Sequence, residues 1–215
     1  MDAQDRLSFA RKLRDQGLVD LLIAQEIFLV TEVLKLPVAQ NQPQINRYHL
    51  TIAKSQQSLE KVVKGYLLWH QESVSPFGGH AVITGIFDKQ IGGNTSRLEK
   101  LRRALRTAKK IHGDIRWLES AAPRAPSGRR GWADLNAADL VENAEYPFSH
   151  PSAGIVCPAE HFTYRDARRA IQTARQTLQI IASLSADASK VAARETFEGA
   201  MQDFLRIDFT TEKQL

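Results

Sequence analysis

An arginine and a histidine lie close together in the most basic stretch of this chain. Arg106 and His112 have five residues between them. Arginine is a permanently charged, bidentate donor to phosphate oxygens, and histidine transfers protons near neutral pH. Cleavage of RNA by its own 2′-hydroxyl needs proton transfer and a cation beside the phosphate, where charge develops. The pair is therefore a candidate catalytic site that would need no metal ion.

The surrounding stretch, residues 97–130, concentrates the positive charge of the protein. It has eleven Lys and Arg and three acidic residues, a net charge of +8, whereas the whole chain of 215 residues has a net charge of +5. The remainder is therefore slightly acidic, at −3. Such a local excess predicts a polyanionic partner, with RNA or a nucleotide as the first choice. The alternative is a solvated surface that pairs with acidic residues elsewhere.

A single helix from about residue 94 to residue 120 is predicted to carry most of these residues. Apolar residues recur along it at three- and four-residue steps: Leu98, Leu101, Leu105, Ala108, Ile115 and Leu118. Gly113 is a local weak point within this helix. On the opposite side, a solvated basic face is expected from Arg102, Arg103, Arg106, Lys109 and Lys110.

A loop rich in proline, glycine and arginine follows this helix. Arg129 and Arg130 lie in it, close to Trp132. Basic side chains beside an aromatic ring suit single-stranded nucleic acid, through phosphate contacts and base stacking. The residues expected to bind nucleic acid are Arg102, Arg103, Lys109, Lys110, Arg129 and Arg130.

Helix geometry weighs against the catalytic interpretation of Arg106 and His112. Six steps along a helix of 3.6 residues per turn separate two side chains by about 120°. His112 also continues the apolar stripe, where a histidine is more often a core or interface residue than a catalyst. A binding surface is therefore the preferred interpretation, and catalysis is the alternative.

The remaining sequence predicts an all-α protein. We expect an antiparallel helical bundle over residues 1–184 and an additional C-terminal helix with a tail over 185–215. The first helix covers about residues 5–36, with a break near Gly17, and the second covers about 45–71. Further helices are predicted over 80–90, 134–143, 164–184 and 187–206, with Thr163 as the cap of the helix 164–184, and residues 145–162 form a long irregular segment.

Several classes of protein are not expected. The only cysteine, Cys157, excludes an intramolecular disulfide and suits a reducing compartment. The first residues do not resemble a signal peptide, and the apolar run 18–36 contains too many charges for a membrane span, so we expect a cytoplasmic protein without a membrane partner. No phosphate-binding loop or zinc-ligand spacing is present, so we expect no cofactor and no metal. His49 and His70 are expected on the surface of the second helix.

Four blocks, in order, resemble the HEPN domain family of prokaryotic defence and toxin–antitoxin systems. The first, residues 55–67 (SQQSLEKVVKGYL), is similar to the family's QQ-EK helix, and the second, 79–86 (GHAVITGI), to its short His-led helix. The third is Glu145-Tyr146-Pro147, near the family's Arg-Tyr-Pro, and the fourth is 164–175 (YRDARRAIQTAR). Together they span about residues 46–184.

This resemblance implies an all-helical dimer. Catalytic family members cleave RNA with an arginine and a histidine four to six residues apart, which Arg106 and His112 would match. Some members pair with a separate nucleotidyltransferase-fold partner. Two residues depart from the family pattern. Glu145 replaces an arginine, and Thr107 lies at the position after the catalytic arginine, where the family often has a polar residue such as Asn.

Three classes of function follow from these observations. The preferred one is a module that binds nucleic acid or a nucleotide through a basic helix face. The second is a metal-independent endoribonuclease of toxin or defence type. The third is a structural or protein-interaction helical module that works through its apolar surface.

Overall fold

The computed structural model describes residues 2–33, 47–70, 96–107, 109–119, 148–150, 154–160, 162–184 and 196–208. The helices in these ranges are α1 (Ala3–Val33), α2 (Tyr48–Trp69), α3 (Ser96–Thr107), α4 (Lys109–Glu119), α5 (Tyr164–Ser183) and α6 (Phe197–Asp208). The described part is thus an all-α bundle, as predicted. The predicted helices 80–90 and 134–143 and the loop at 121–131 lie outside the described residues.

Helices α1 and α2 form an antiparallel hairpin along their full lengths. Arg6 donates to the Leu68 carbonyl oxygen at one end, and Phe28 packs beside Tyr48 at the other. The predicted break near Gly17 is wrong, because α1 continues through this residue. A Cβ on Gly17 would lie 2.7 Å from Val62 Cγ2 and 2.9 Å from the Ser58 carbonyl oxygen. Glycine lets the two helices approach here, and burial against α2 offsets its low helix propensity.

The hydrophobic core lies between the α1–α2 hairpin, α5, and the helices α3, α4 and α6, which pack against α5. Fully buried side chains come from several helices: Leu21, Phe28, Ile52, Leu59, Leu67, Leu101, Leu105, Leu178 and Phe197. Helix α5 packs against α1, α2, α3, α4 and α6, so it is the element that joins the hairpin to the rest. Burial of these apolar side chains is the main stabilising term of the fold.

Helix α6 belongs to the same core. Its residues Phe197, Met201 and Leu205 are buried with side chains of the other helices. The region that the sequence assigns to an additional helix thus completes the bundle. The predicted start of this helix, near residue 187, lies outside the described residues.

The predicted helix 94–120 is described as two segments, α3 and α4, on either side of residue 108. Leu101 and Leu105 of α3, and Ile115 and Leu118 of α4, are fully buried, as the apolar stripe predicts. The buried Gln56 side chain of α2 donates to the Leu118 carbonyl oxygen at 2.7 Å. This bond ties the end of α4 to the hairpin.

The N-terminus of α5 agrees with the prediction. Thr163 Oγ1 accepts from the Asp166 backbone, and the Asp166 carboxylate accepts from the Thr163 backbone, which is a capping box. The preceding segment, predicted to be irregular, contains two short strands. β1 (Phe148–His150) pairs antiparallel with β2 (Gly154–Val156), and a 3-10 helix (Pro158–Glu160) follows. Strands of three residues are too short to give a recognisable alternation in the sequence.

Candidate nucleic-acid interface

Helix α3 presents one apolar side to the core and one basic side to solvent. Leu101 and Leu105 are buried, whereas Lys100, Arg103 and Arg106 are exposed at three-residue steps. The first turn contains Glu99, and the last turn contains Arg106, so both charges suit the helix dipole. The three exposed cations form one row along the outer side of the helix.

Arg102 does not belong to this row. Its side chain is only 6% exposed, and its Nη1 lies 3.6 Å from Oε2 of Glu99. The expectation that Arg102 contributes to a solvated basic face is therefore wrong. Arg102 lies about 60° from Leu105 around the helix, at the edge of the packed side, where its aliphatic stem is covered. Adjacent arginines in the sequence thus have different environments, because Arg103 is exposed.

The structure describes only part of the predicted catalytic pair. Arg106 lies exposed in the last turn of α3. His112 lies within α4, but its side chain is outside the described part of the structure, as are the side chains of Lys109 and Lys110. Arg129 and Arg130 also lie outside the described residues. The predicted angle of 120° between the Arg106 and His112 side chains is therefore untested.

Helix α5 contributes basic residues that the sequence interpretation missed. Arg165 and Arg168 are exposed on α5, which packs against both α3 and α4. Arg116 is exposed on α4. We define the basic surface as the exposed cations of these three helices: Lys100, Arg103, Arg106, Arg116, Arg165 and Arg168. The three-residue step from Arg165 to Arg168 on a predicted helix was a signal that could have identified them.

A cluster of three side chains joins α4 and α5. Arg169 of α5 donates through Nε to Oδ1 of Asp114 at 2.7 Å, and its Nη2 forms an ion pair with the same oxygen at 2.5 Å. The carbon at the centre of the same guanidinium lies 4.3 Å from the centroid of the Trp117 ring. Asp114 and Trp117 are three residues apart on α4, so both face α5. Arg169 is therefore held by a carboxylate and stacked on an aromatic ring.

Two residues outside the basic surface, His70 and Asp20, have polar partners within the bundle. His70, expected on a helix surface, is mostly buried, and its Nε2 lies 3.0 Å from Oε1 of the buried Glu198. Asp20 is buried between Lys61 and Lys54 at the α1–α2 interface, at 2.5 and 3.6 Å. Both residues stabilise the packing of helices. The prediction that His70 lies on a helix surface is wrong, because α6 covers it.

The ranges that the structure describes give no indication of a metal centre or a membrane span. No three His, Cys, Asp or Glu residues among them lie close enough together to hold a metal ion. None of the described helices combines the length and apolar character needed to cross a bilayer.

Comparisons with known proteins add no family to these observations. No model of a protein family matches the chain, and neither a curated protein nor a solved structure does. The function is therefore inferred from the residues of the basic surface and their surroundings.

Proposed function

We propose that this protein binds RNA through the basic surface. The observation that carries the proposal is that exposed cations on three mutually packed helices lie on one continuous structural unit, α3–α4–α5. Arginine is suited to phosphate because its planar guanidinium donates two parallel hydrogen bonds. Five of the six cations that define the surface are arginines.

The helices α3, α4 and α5 contain twelve lysine and arginine residues and four acidic residues. Asp114 is engaged by Arg169, and Glu119 is buried. Glu99 is exposed, but it lies within 3.6 Å of the buried Arg102. This excess of cations produces a positive field, which attracts a polyanion over about a Debye length.

The proposal is tested by measuring the affinity for a single-stranded RNA of mixed sequence over a range of salt concentrations. The double substitution Arg106→Ser and Arg168→Ser removes one cation from α3 and one from α5. Removal of one phosphate-binding cation should reduce the slope of log affinity against log salt by about 0.7. We expect weaker binding and a slope reduced by about twice that amount.

The matched control is the double substitution Lys12→Ser and Arg206→Ser. Both side chains are exposed, on α1 and α6, and the change in net charge is the same. This control should keep the affinity and the salt slope of the unaltered protein. Equal losses of affinity in the two double variants would show that only net charge matters, and would contradict a specific surface.

A second candidate function is metal-independent cleavage of RNA. The observation that favours it is that Arg106 is exposed at the end of α3, with His112 in the next helix. Incubation of labelled RNA with the protein in a chelator would reveal cleavage. Cleavage that is abolished in both Arg106→Ala and His112→Ala would support this function. An unchanged rate in His112→Ala would remove it.

The resemblance to HEPN domains extends the proposal to a biological class. Two of the four blocks on which it rests fall on α2 and α5, which pack directly against each other. We propose on this basis a defence or toxin–antitoxin role, a homodimer and a nucleotidyltransferase-fold partner as the associations to test. Light scattering of the purified protein, alone and with such a partner, would measure both associations.

A further inference from the structure

The cluster of Arg169, Asp114 and Trp117 differs chemically from the rest of the basic surface. The Arg169 guanidinium contacts one carboxylate oxygen of Asp114, through a hydrogen bond from Nε and an ion pair of Nη2. The ion pair offsets the charge of Arg169, so this arginine is a weaker phosphate ligand than Arg165 or Arg168. Its orientation is nevertheless fixed, since the carboxylate and the Trp117 ring hold it from two directions.

The side chain of Arg169 remains accessible. It is 40% exposed, whereas that of Asp114 is 19% exposed, so the carboxylate is the more covered member of the pair. Trp117 is partly buried and packs against the hydrophobic core. A guanidinium that lies on an indole ring and is neutralised at its edge offers a flat surface with little net charge. Bases of single-stranded RNA stack on such aromatic and guanidinium planes.

We infer that Arg169 and Trp117 form a stacking platform for an unpaired nucleobase, with the neighbouring Arg165, Arg168 and Arg116 as phosphate contacts. The inference rests on the proposed RNA-binding function and narrows its ligand to single-stranded RNA. A duplex would keep its bases stacked inside the helix, where the platform could not reach them.

The test compares two polyanions, a single-stranded oligouridylate and inorganic polyphosphate, which has no bases. The substitution Arg169→Lys keeps the charge that pairs with Asp114 but removes the planar group. We expect it to weaken binding of oligouridylate about fivefold, as for the loss of one weakly stacked base. Binding of polyphosphate should be unchanged, since the phosphate contacts remain.

The control substitution is Arg11→Lys. Arg11 also lies over a tryptophan ring, 5.2 Å from the centroid of Trp69, but it is on α1, outside the basic surface. This variant should bind both polyanions like the unaltered protein. A second readout is tryptophan fluorescence, which oligouridylate should quench and polyphosphate should not. The conservative substitution Trp117→Phe should remove part of that quenching.

The outcomes separate this inference from the proposed function. If neither polyanion binds the unaltered protein, the proposed function fails and the platform with it. If both bind and Arg169→Lys weakens them equally, Arg169 is a phosphate contact, and only the platform is overturned. Unchanged binding of oligouridylate in Arg169→Lys would overturn it as well.

Discussion

Several charged residues of the α1–α2 hairpin are buried and paired, whereas the cations of the basic surface are exposed to water. In the hairpin, Asp20 is enclosed by two lysines and Lys64 pairs with Glu60. On the basic surface, Arg106 and Arg168 are exposed. Lysine and arginine thus stabilise packing in one region and are exposed to water in the other. Their environment decides their role, because burial makes an unpaired charge costly and exposure leaves it able to attract a ligand.

Among the substitutions that test this comparison, Asp20→Ala is expected to lower the free energy of unfolding most. It would leave Lys54 and Lys61 without their shared carboxylate, and we expect the free energy of unfolding to fall by about 2 to 3 kcal/mol. The value is below that for fully buried pairs because both lysine side chains are 29% exposed. Urea unfolding followed by circular dichroism measures it.

The control for this prediction is Asp15→Ala, also on α1. The Asp15 side chain is 61% exposed, and it accepts from Nε of the largely buried Arg14, whose guanidinium also lies over the Phe197 ring. It should lower the free energy of unfolding by less than about 1 kcal/mol. Equal decreases in the two variants would show that the hairpin does not depend on its buried carboxylate.

A smaller effect is expected from Gly17→Ala. The added methyl group would meet Val62 Cγ2 and the Ser58 carbonyl oxygen at less than 3 Å, so the helices must move apart. We expect the free energy of unfolding to fall by about 1 to 2 kcal/mol despite the better helix propensity of alanine. Thermal unfolding would show this as a lower midpoint.

The matched substitution is Gly113→Ala in α4, where a Cβ would meet no atom within 4 Å. It should raise the free energy of unfolding by up to about 1 kcal/mol, since alanine favours the helix. The two substitutions are chemically identical and opposite in expected sign. A decrease of stability in both would contradict the close approach of α1 and α2.

The adjacent residues Arg102 and Arg103 of α3 are expected to differ in role, with Arg102 in packing and Arg103 in RNA binding. Arg102→Ala should lower the free energy of unfolding by about 1 kcal/mol, because it removes a buried stem and the contact with Glu99. Arg103→Ala should change stability by less than about 0.5 kcal/mol but weaken RNA binding. Chemical unfolding and RNA titration of both variants measure the two effects. The reverse pattern would place Arg102 in the interface.

The last prediction concerns the dependence of the stability on pH, through Tyr48 in the hairpin. Burial, and then the hydrogen bond to Glu32 and its negative charge, raise the pKa of Tyr48 to about 12 from its ordinary value of 10. Because the folded state holds this proton more tightly, the contribution is complete below pH 10 and is lost as the pH rises toward 12.

Tyr48→Phe would reduce this decrease of stability above pH 10. It should also lower the free energy of unfolding at neutral pH by about 1 kcal/mol, because the hydrogen bond to Glu32 is removed. Tyrosinate absorbance measured against pH should show, in this variant, one tyrosine fewer that ionises above the ordinary pKa of 10. A variant with the same alkaline titration as the unaltered protein would contradict the raised pKa.

Helical periodicity predicts α2, α5 and the apolar stripe of α3 and α4 because local patterns decide them. Leu101, Leu105, Ile115 and Leu118 are all buried, as their spacing indicates. The capping residue Thr163 is equally local. Gly17 is different, since its sequence context suggests a break, while the helix it faces makes glycine the residue that fits.

The candidate site was predictable only in part. Composition identifies the basic stretch, and spacing places Arg103 and Arg106 on an outer row. Spacing places Arg102 at the border between the apolar and basic sides, so it does not decide whether this side chain is buried. It also cannot bring Arg169 to Asp114, since these residues are 55 positions apart in the chain.

The sequence by itself determined the helical class, the concentration of positive charge and the helices that carry it. These properties depend on composition and on neighbours three or four residues apart. Only the tertiary structure decided which charges are buried, that α6 completes the core and that α5 adds Arg165 and Arg168 to the surface. Those outcomes depend on contacts between distant segments, whose partners no local pattern specifies.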